Sequence, residues 1–189
     1  MYNDPEFKFK KIGKNVYIGK NVYFRYPELA EIGDNVMIDE FNVFTTTVKF
    51  GSYIHSASHS TVSGGKDGVF QMDDFSQMAA GCRIVCSSDD FLGSGLIGPT
   101  IPKMYRANVT IGKVHLKEHV ILGTSCVVHP NITIGEGSVT GSMTLVNKSL
   151  DDWGVYVGIP AKRLKDRSKI EILQKAHALR DAEFIPQVQ

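Results

Sequence analysis

The side chains best suited to proton transfer are six histidines, His55, His59, His115, His119, His129 and His177. Imidazole alone among side chains has an ordinary pKa close to neutrality. His55 and His59 lie in Phe50-Gly51-Ser52-Tyr53-Ile54-His55-Ser56-Ala57-Ser58-His59, shortly before Gly64-Gly65; His115 and His119 form a second pair with the same spacing of four. His177 falls on a helical stretch and His129 in a turn slot, where solvent is the expected environment. Two adjacent carboxylates, Asp89 and Asp90, follow Cys86-Ser87-Ser88 and open a glycine- and proline-rich stretch. Carboxylates there can hold hydroxyls, receive an amine or orient a histidine. Lys162, Arg163 and Lys165 can neutralise phosphates through charge-assisted hydrogen bonds. Cys82, Cys86 and Cys126 lack a zinc-like Cys-x-x-Cys pair and read as reduced thiols filling small core positions.

These side chains hang on a repeat. Ile12-Gly13-Lys14-Asn15-Val16-Tyr17 is followed by a near copy, Ile18-Gly19-Lys20-Asn21-Val22-Tyr23. The phase slips by two residues over 25–31, then resumes with Ile32, Ile38, Phe44, Phe50, Ser56 and Val62. After a short insertion at 63–71 it restarts at Met72, Met78 and Ile84, with Ser76, Cys82 and Ser88 four places on. The cleanest run is Leu116, Leu122, Val128, Ile134, Thr140 and Val146, with Val120, Cys126, Ile132, Ser138 and Thr144 four places on. A period of six is neither the 3.6 of a helix nor the 2 of a two-faced strand. It fits a short strand plus a turn, three per triangular coil, with the aliphatic and small positions facing the interior. Gly, Asp or Asn is expected at the corners. Successive coils then stack by parallel ladders, as in other repeat proteins.

Residues 89–108 contain Gly93, Gly95, Gly98, Pro99 and Pro102 and read as an extruded loop. Loops of about 20 residues without regular structure are usually functional or disordered. Ser168 can N-cap a helix to about Ala182, with Ile170, Ile172, Leu173, Ala176 and Leu179 at helical spacing. Such a helix would cap the open prism end or meet a neighbouring subunit. The division expected is residues 1–165 for the repeat domain and 166–189 for the helix and tail. A net charge of +1 gives no field directed at nucleic acid or anionic membranes. No apolar run reaches the ~18–20 residues needed to span a bilayer. The N-terminal segment shows no signal-peptide h-region, so a cytoplasmic location is expected.

The unit [Ile/Leu/Val]-Gly-x-x-[Val/Ser/Thr/Ala]-x over about residues 12–165, with Gly158-Ile159-Pro160-Ala161-Lys162-Arg163 at its end, resembles the hexapeptide-repeat acyltransferase family. That resemblance implies an all-β fold, a left-handed parallel β-helix with a short C-terminal α-helix, and a homotrimer with sites between subunits. The left hand is a known exception to the crossover rule. The resemblance also implies acetyl-CoA as co-substrate. Gly123, Thr124, Gly141, Ser142, Asn147 and Lys148 match positions along the pantetheine arm, and Pro160, Ala161, Lys162 and Arg163 the adenine and 3′-phosphate segment. The His55 coil looks like the histidine coil of bacterial sugar N-acetyltransferases, which makes His55 and His59 the catalytic candidates. Asp89 and Asp90 resemble a Ser-x-Asp-Asp stretch in transferases of surface-polysaccharide loci, implying acceptor binding. Galactoside- and maltose-type relatives carry a catalytic histidine in the corresponding loop, and residues 89–108 contain none. The base is then His55 or His59, an acidic residue, or none at all if a neutral amine attacks unaided.

The function expected is acetyl-CoA-dependent acylation of a sugar, nucleotide-linked and amino or deoxy, bound for surface polysaccharide, without a metal. A competing reading is a metal-dependent enzyme of the γ-carbonic-anhydrase type on the same fold, suggested by the two histidine pairs. The Gly-His spacing of those enzymes is absent. A non-catalytic assembly platform is a third.

Overall fold

The structure, a computed structural model, describes residues 8–182. The chain winds as a parallel β-helix whose short strands form three faces. Lys11–Ile12, Glu31–Ile32, Lys113–Leu116 and Ile132–Ile134 belong to the first. Val16–Ile18, Val36–Ile38, Ile54–Ser56, Gln77–Met78, Ile121–Leu122, Val139–Thr140 and Gly154–Val157 form the second. Tyr23–Phe24, Arg83–Val85, Val127–Val128 and Leu145–Val146 lie on the third. Val43–Phe50 and Thr61–Met72 run round the corner from the third face to the first and fuse the two into one sheet.

The register records each irregularity of the repeat. Val36 pairs with Ile54 and Ile121 with Val139, each eighteen residues on, or three hexads. Val16 pairs with Val36, twenty on, because a 3-10 turn at Pro27–Leu29 takes up two residues. Thr61 pairs with Arg83, twenty-two on, and Gln77 with Ile121, forty-four on, across the long loop. The inward positions of the cleanest run are all buried, from Leu116 and Val120 through Thr144 and Val146. The first half has a larger-ringed core, with Phe24 stacked on Phe44 at 4.7 Å and Phe50 edge-on to Phe70 at 5.9 Å. Phe44 and Phe70 are wholly inside.

The 63–71 insertion is a bulged continuation of strand Thr61–Met72, and two other expectations need correction. Buried hydroxyls hold it there: Thr46 Oγ1 donates to the Gly68 carbonyl at 2.6 Å and Thr47 Oγ1 to that of Lys66 at 2.9 Å. Ser88 is not an interior residue. The chain leaves the prism after buried Cys86, whose N–H donates to Ser63 and whose carbonyl accepts from Gly112, and Ser88 lies on an antiparallel ribbon. Nor does Ser168 cap the helix. The Arg167 guanidinium donates to the carbonyls of His119 and Gly137, both at 2.8 Å, and the helix, α1 (Ile170–Asp181), begins only after Lys169.

Asparagine does occupy corners, at Asn15, Asn35 and Asn131, but so do Phe41, Tyr53, His59, Phe75, His119, Met143 and Trp153, all at left-handed φ between 54° and 63°. That conformation costs a non-glycine residue roughly 1–2 kcal/mol. Stacking offsets it: Tyr53 lies on Phe75 at 4.8 Å and Phe75 on His119 at 5.2 Å, and an aromatic pair contributes about 0.5–1.5 kcal/mol. α1 lies along this corner and not across the open end. Its Ala176 is buried, and Arg180 reaches Glu118 at 2.9 Å and Asp74 at 3.3 Å while covering the Phe75 ring. The edge of the second face is instead covered by Lys162–Asp166, antiparallel to Gly154–Val157. No helix among the described residues is long and apolar enough to cross a membrane.

Candidate active site

The two breaks in the repeat meet. Ser87–Asp89 and Val109–Ile111 leave the prism as an antiparallel ribbon beside the bulge of Thr61–Met72, and between them opens a cavity of about 400 Å³. Ser63, Lys66 and Asp67 line one side; Ser87, Asp89 and Arg106 line the other. The approach is tight at its root, where a Cβ on Gly64 would stand 2.6 Å from Cys86 Cβ. Cys86 itself is no nucleophile, because burial pushes its thiol up to about 12.

The adjacent acids part company here. Asp89 contributes to the cavity wall. Asp90 does not: its Oδ1 accepts the Leu92 N–H at 2.7 Å, and the Ser94 hydroxyl holds its carboxyl below the usual carboxylate range. Asp90 folds the loop.

The histidines scatter over the prism. His55 points outward from the second face, as its place in the repeat requires, with Nε2 2.9 Å from Asp39 Oδ2. His59 occupies a corner, its ring 4.9 Å from that of Phe41. Both lie on a different part of the prism from the Asp89 cavity. His115, passed over in the sequence, has Nε2 2.7 Å from Asp73 Oδ2, while Asp73 Oδ1 accepts from Gln71 at 2.7 Å. The coil register sets His115 beside Gln71, two residues before Asp73, a pairing across the long loop that the sequence does not show. His119 is buried between Phe75 and Trp153, and desolvation lowers its pKa. His177 pairs with Asp181 on the exposed side of α1. The two histidine pairs therefore do not converge. Among the described residues no group of three or more His, Cys, Asp or Glu side chains is disposed to hold a metal ion.

The expected donor track divides between two corners. Gly123-Thr124, Gly141-Ser142 and the segment from Gly158 follow one another up the corner between the second and third faces. A Cβ at Gly123 would stand 2.6 Å from the Thr140 carbonyl, so this wall is backbone. Leu145 straps down the last segment, donating its N–H to Gly158 and accepting from Ala161 at 2.8 Å, beside Pro160. Asn147-Lys148 lie on the corner between the third and first faces, both exposed. Lys162 and Arg163 are both exposed, but Arg163 is engaged within the chain, donating to Tyr156 Oη at 2.8 Å and to Asp166 at 2.9 Å.

A three-faced parallel β-helix with polar excursions from its coils and a terminal Gly-Ile-Pro-Ala-Lys-Arg segment defines the class of hexapeptide-repeat transferases. No family profile matches the chain. Individual relatives do. The chain is 32% identical over 167 residues to the dTDP-4-amino-4,6-dideoxy-D-glucose acyltransferase of Escherichia coli, covering 87% of this chain and 85% of that one. It superposes with a TM-score of 0.85 and 40% identity on AntD, an N-acyltransferase from Bacillus cereus in complex with dTDP and 3-hydroxybutyryl-CoA, over 91% of this chain and 90% of that one. A variant of AntD in complex with dTDP-4-amino-4,6-dideoxyglucose and coenzyme A superposes at 0.86, with 92% of each chain covered. This chain belongs to the hexapeptide-repeat acyltransferases, the left-handed β-helix enzymes. Relatives of this identity are acyltransferases, which sets aside the metal-dependent reading.

Proposed function

We propose that this enzyme transfers an acyl group from a coenzyme A thioester to the 4-amino group of a dTDP-linked 4-amino-4,6-dideoxy sugar. One observation carries the reading: both breaks of the repeat converge on one cavity walled by Asp89, in a chain 32% and 40% identical to enzymes named for that acceptor or bound to it. Acetyl-CoA is the donor assigned. The corner column of Gly123, Thr124, Gly141, Ser142, Pro160 and Ala161 suits the pantetheine arm, being backbone-walled. Lys162 and Lys148 are free to meet phosphates; Arg163 serves the fold.

In this reading the amine lone pair attacks the thioester carbonyl carbon, a C–N bond forms and the C–S bond breaks. The nitrogen becomes acidic once it has attacked, so a carboxylate beside it can take its proton. Asp89 accepts it, and the proton ends on the departing coenzyme A sulfur. Amine plus thioester thus gives amide plus thiol. Donors aimed at the developing oxyanion lower the barrier further.

His55, oriented by Asp39, belongs to the same reaction only from a neighbouring subunit. A homotrimer with its sites between subunits is therefore part of the proposal. The second face supports it: Tyr17 and Met37, in the outward row with His55, are 40% and 48% exposed, and exposed apolar side chains of this kind suit a subunit contact. The compartment assigned is the cytoplasm.

Thiol release from acetyl-CoA tests the reading. With dTDP-4-amino-4,6-dideoxyglucose, one thiol should appear per amide formed. Equal turnover of the matching 4-hydroxy sugar would overturn it.

A further inference from the structure

Four charged side chains of both signs share the Asp89 cavity: Lys66 and Arg106, and Asp67 and Asp89. No ion pair joins any of them to a partner among the described residues. The arginines elsewhere are all occupied. Arg83 and Arg167 donate to backbone carbonyls, Arg163 to Tyr156 and Asp166, Arg180 to Asp74 and Glu118, and Arg25 lies against Tyr23 and Tyr26. The Arg106 guanidinium alone among them has no hydrogen-bond partner within the described residues. Its backbone is nonetheless fixed, by the bridge to Leu96 and by the Ala107 N–H donating to Leu96 at 2.8 Å. Lys66 is fixed likewise through its carbonyl, which accepts from Thr47. A guanidinium carried on a fixed backbone and left unpaired at a cavity wall can present its fork to two anionic oxygens.

We infer that Arg106 and Lys66 form a diphosphate clamp, one cation from each break of the repeat, which selects nucleotide-linked over free sugars. The inference rests on the acceptor reading above and deepens it. A ligand satisfying this cavity must carry negative charge for Arg106 and Lys66 and an amine for Asp89 or Asp67. A nucleotide-linked amino sugar carries both in one molecule. A free amino sugar leaves the cations unpaired, and an unsubstituted nucleotide leaves the acids so. Because Arg106 stands on the long loop and Lys66 on the bulge, the diphosphate also bridges the two segments that wall the cavity.

The test is calorimetric titration of the full-length enzyme with thymidine, dTMP and dTDP, repeated on R106A, R106K and K66A, with coenzyme A binding as the measure of intact folding. Wild type should gain affinity with each added phosphate. R106A and K66A should lose that gain, weakening dTDP by about 10- to 100-fold, as expected for one charged hydrogen-bonding partner. R106K should recover only part of it, because an ammonium cannot bind bidentately. Coenzyme A affinity should not move. Undiminished dTDP binding by R106A and K66A would overturn the clamp while leaving the acceptor reading standing. A wild-type enzyme that binds coenzyme A but ignores dTDP would overturn both.

Discussion

Asp89 and Asp90 are neighbours with separate duties. The sequence shows them as a pair, and no periodicity says which one faces a ligand. That is decided by the antiparallel ribbon, which carries Asp89 onto the cavity wall while Asp90 turns back to the Leu92 N–H. Asp89→Asn should therefore lower kcat by about 10²-fold or more, the usual contribution of a positioned proton acceptor. Asp90→Asn, which keeps an oxygen for the turn, should stay within a few-fold of wild type in the same assay. His55→Ala should also cost about 10²-fold, and an unchanged rate would remove it from the mechanism. His119 gives a different prediction. Its folded pKa lies below the unfolded value of about 6.5, because burial disfavours the charged ring. Below that unfolded value the unfolded chain binds the extra proton, so stability present at neutral pH is lost as pH falls through this window. Thermal melts from pH 7.5 to 5 should show Tm falling, and His119→Phe, which retains the stack, should flatten that component. A slope identical in the variant would show that other groups carry it.

Elements repeat the lesson on a larger scale. The inward slots from Leu116 to Val146 were legible because a hexad interior admits only apolar or small side chains, and every one is buried. The corners were not, since bulky residues at Tyr53, Phe75, His119 and Trp153 take a left-handed φ that sequence rules reserve for Gly and Asn; stacking between coils, invisible in sequence, compensates. The helix was legible from its spacing, but its seat was not. That depends on Arg180 spanning two coils at Asp74 and Glu118. Exposed ion pairs contribute only about 0–1 kcal/mol, and the contact over Phe75 adds about 0.5–1 kcal/mol. Arg180→Ala should leave the β-helix intact and loosen α1 selectively. Hydrogen exchange is the measurement: faster exchange across Ile170–Asp181 with unchanged protection at Ile121–Leu122 is expected, and uniform destabilisation would contradict a docked but separable helix.

The described residues form a prism, and in the proposed reading the departures from its repeat do the chemistry. Its regular coils contribute stacked backbone and a closed core; the bulge and the long loop contribute every charged side chain of the cavity. The sequence announced both departures as failures of the period, but could not say that they meet, because that follows from the coil register, which sets Ser63 against Val85. With a net charge of +1, no global repulsion opposes self-association, and light scattering should report three chains per particle; a stable monomer would leave His55 without a site to serve. The most direct measurement is a crystal structure of the enzyme with dTDP-4-amino-4,6-dideoxyglucose and coenzyme A. The account predicts the sugar amine within hydrogen-bonding distance of Asp89, between the bulge and the loop, with the coenzyme sulfur facing it. An amino sugar bound elsewhere, with this cavity filled only by solvent, would contradict it.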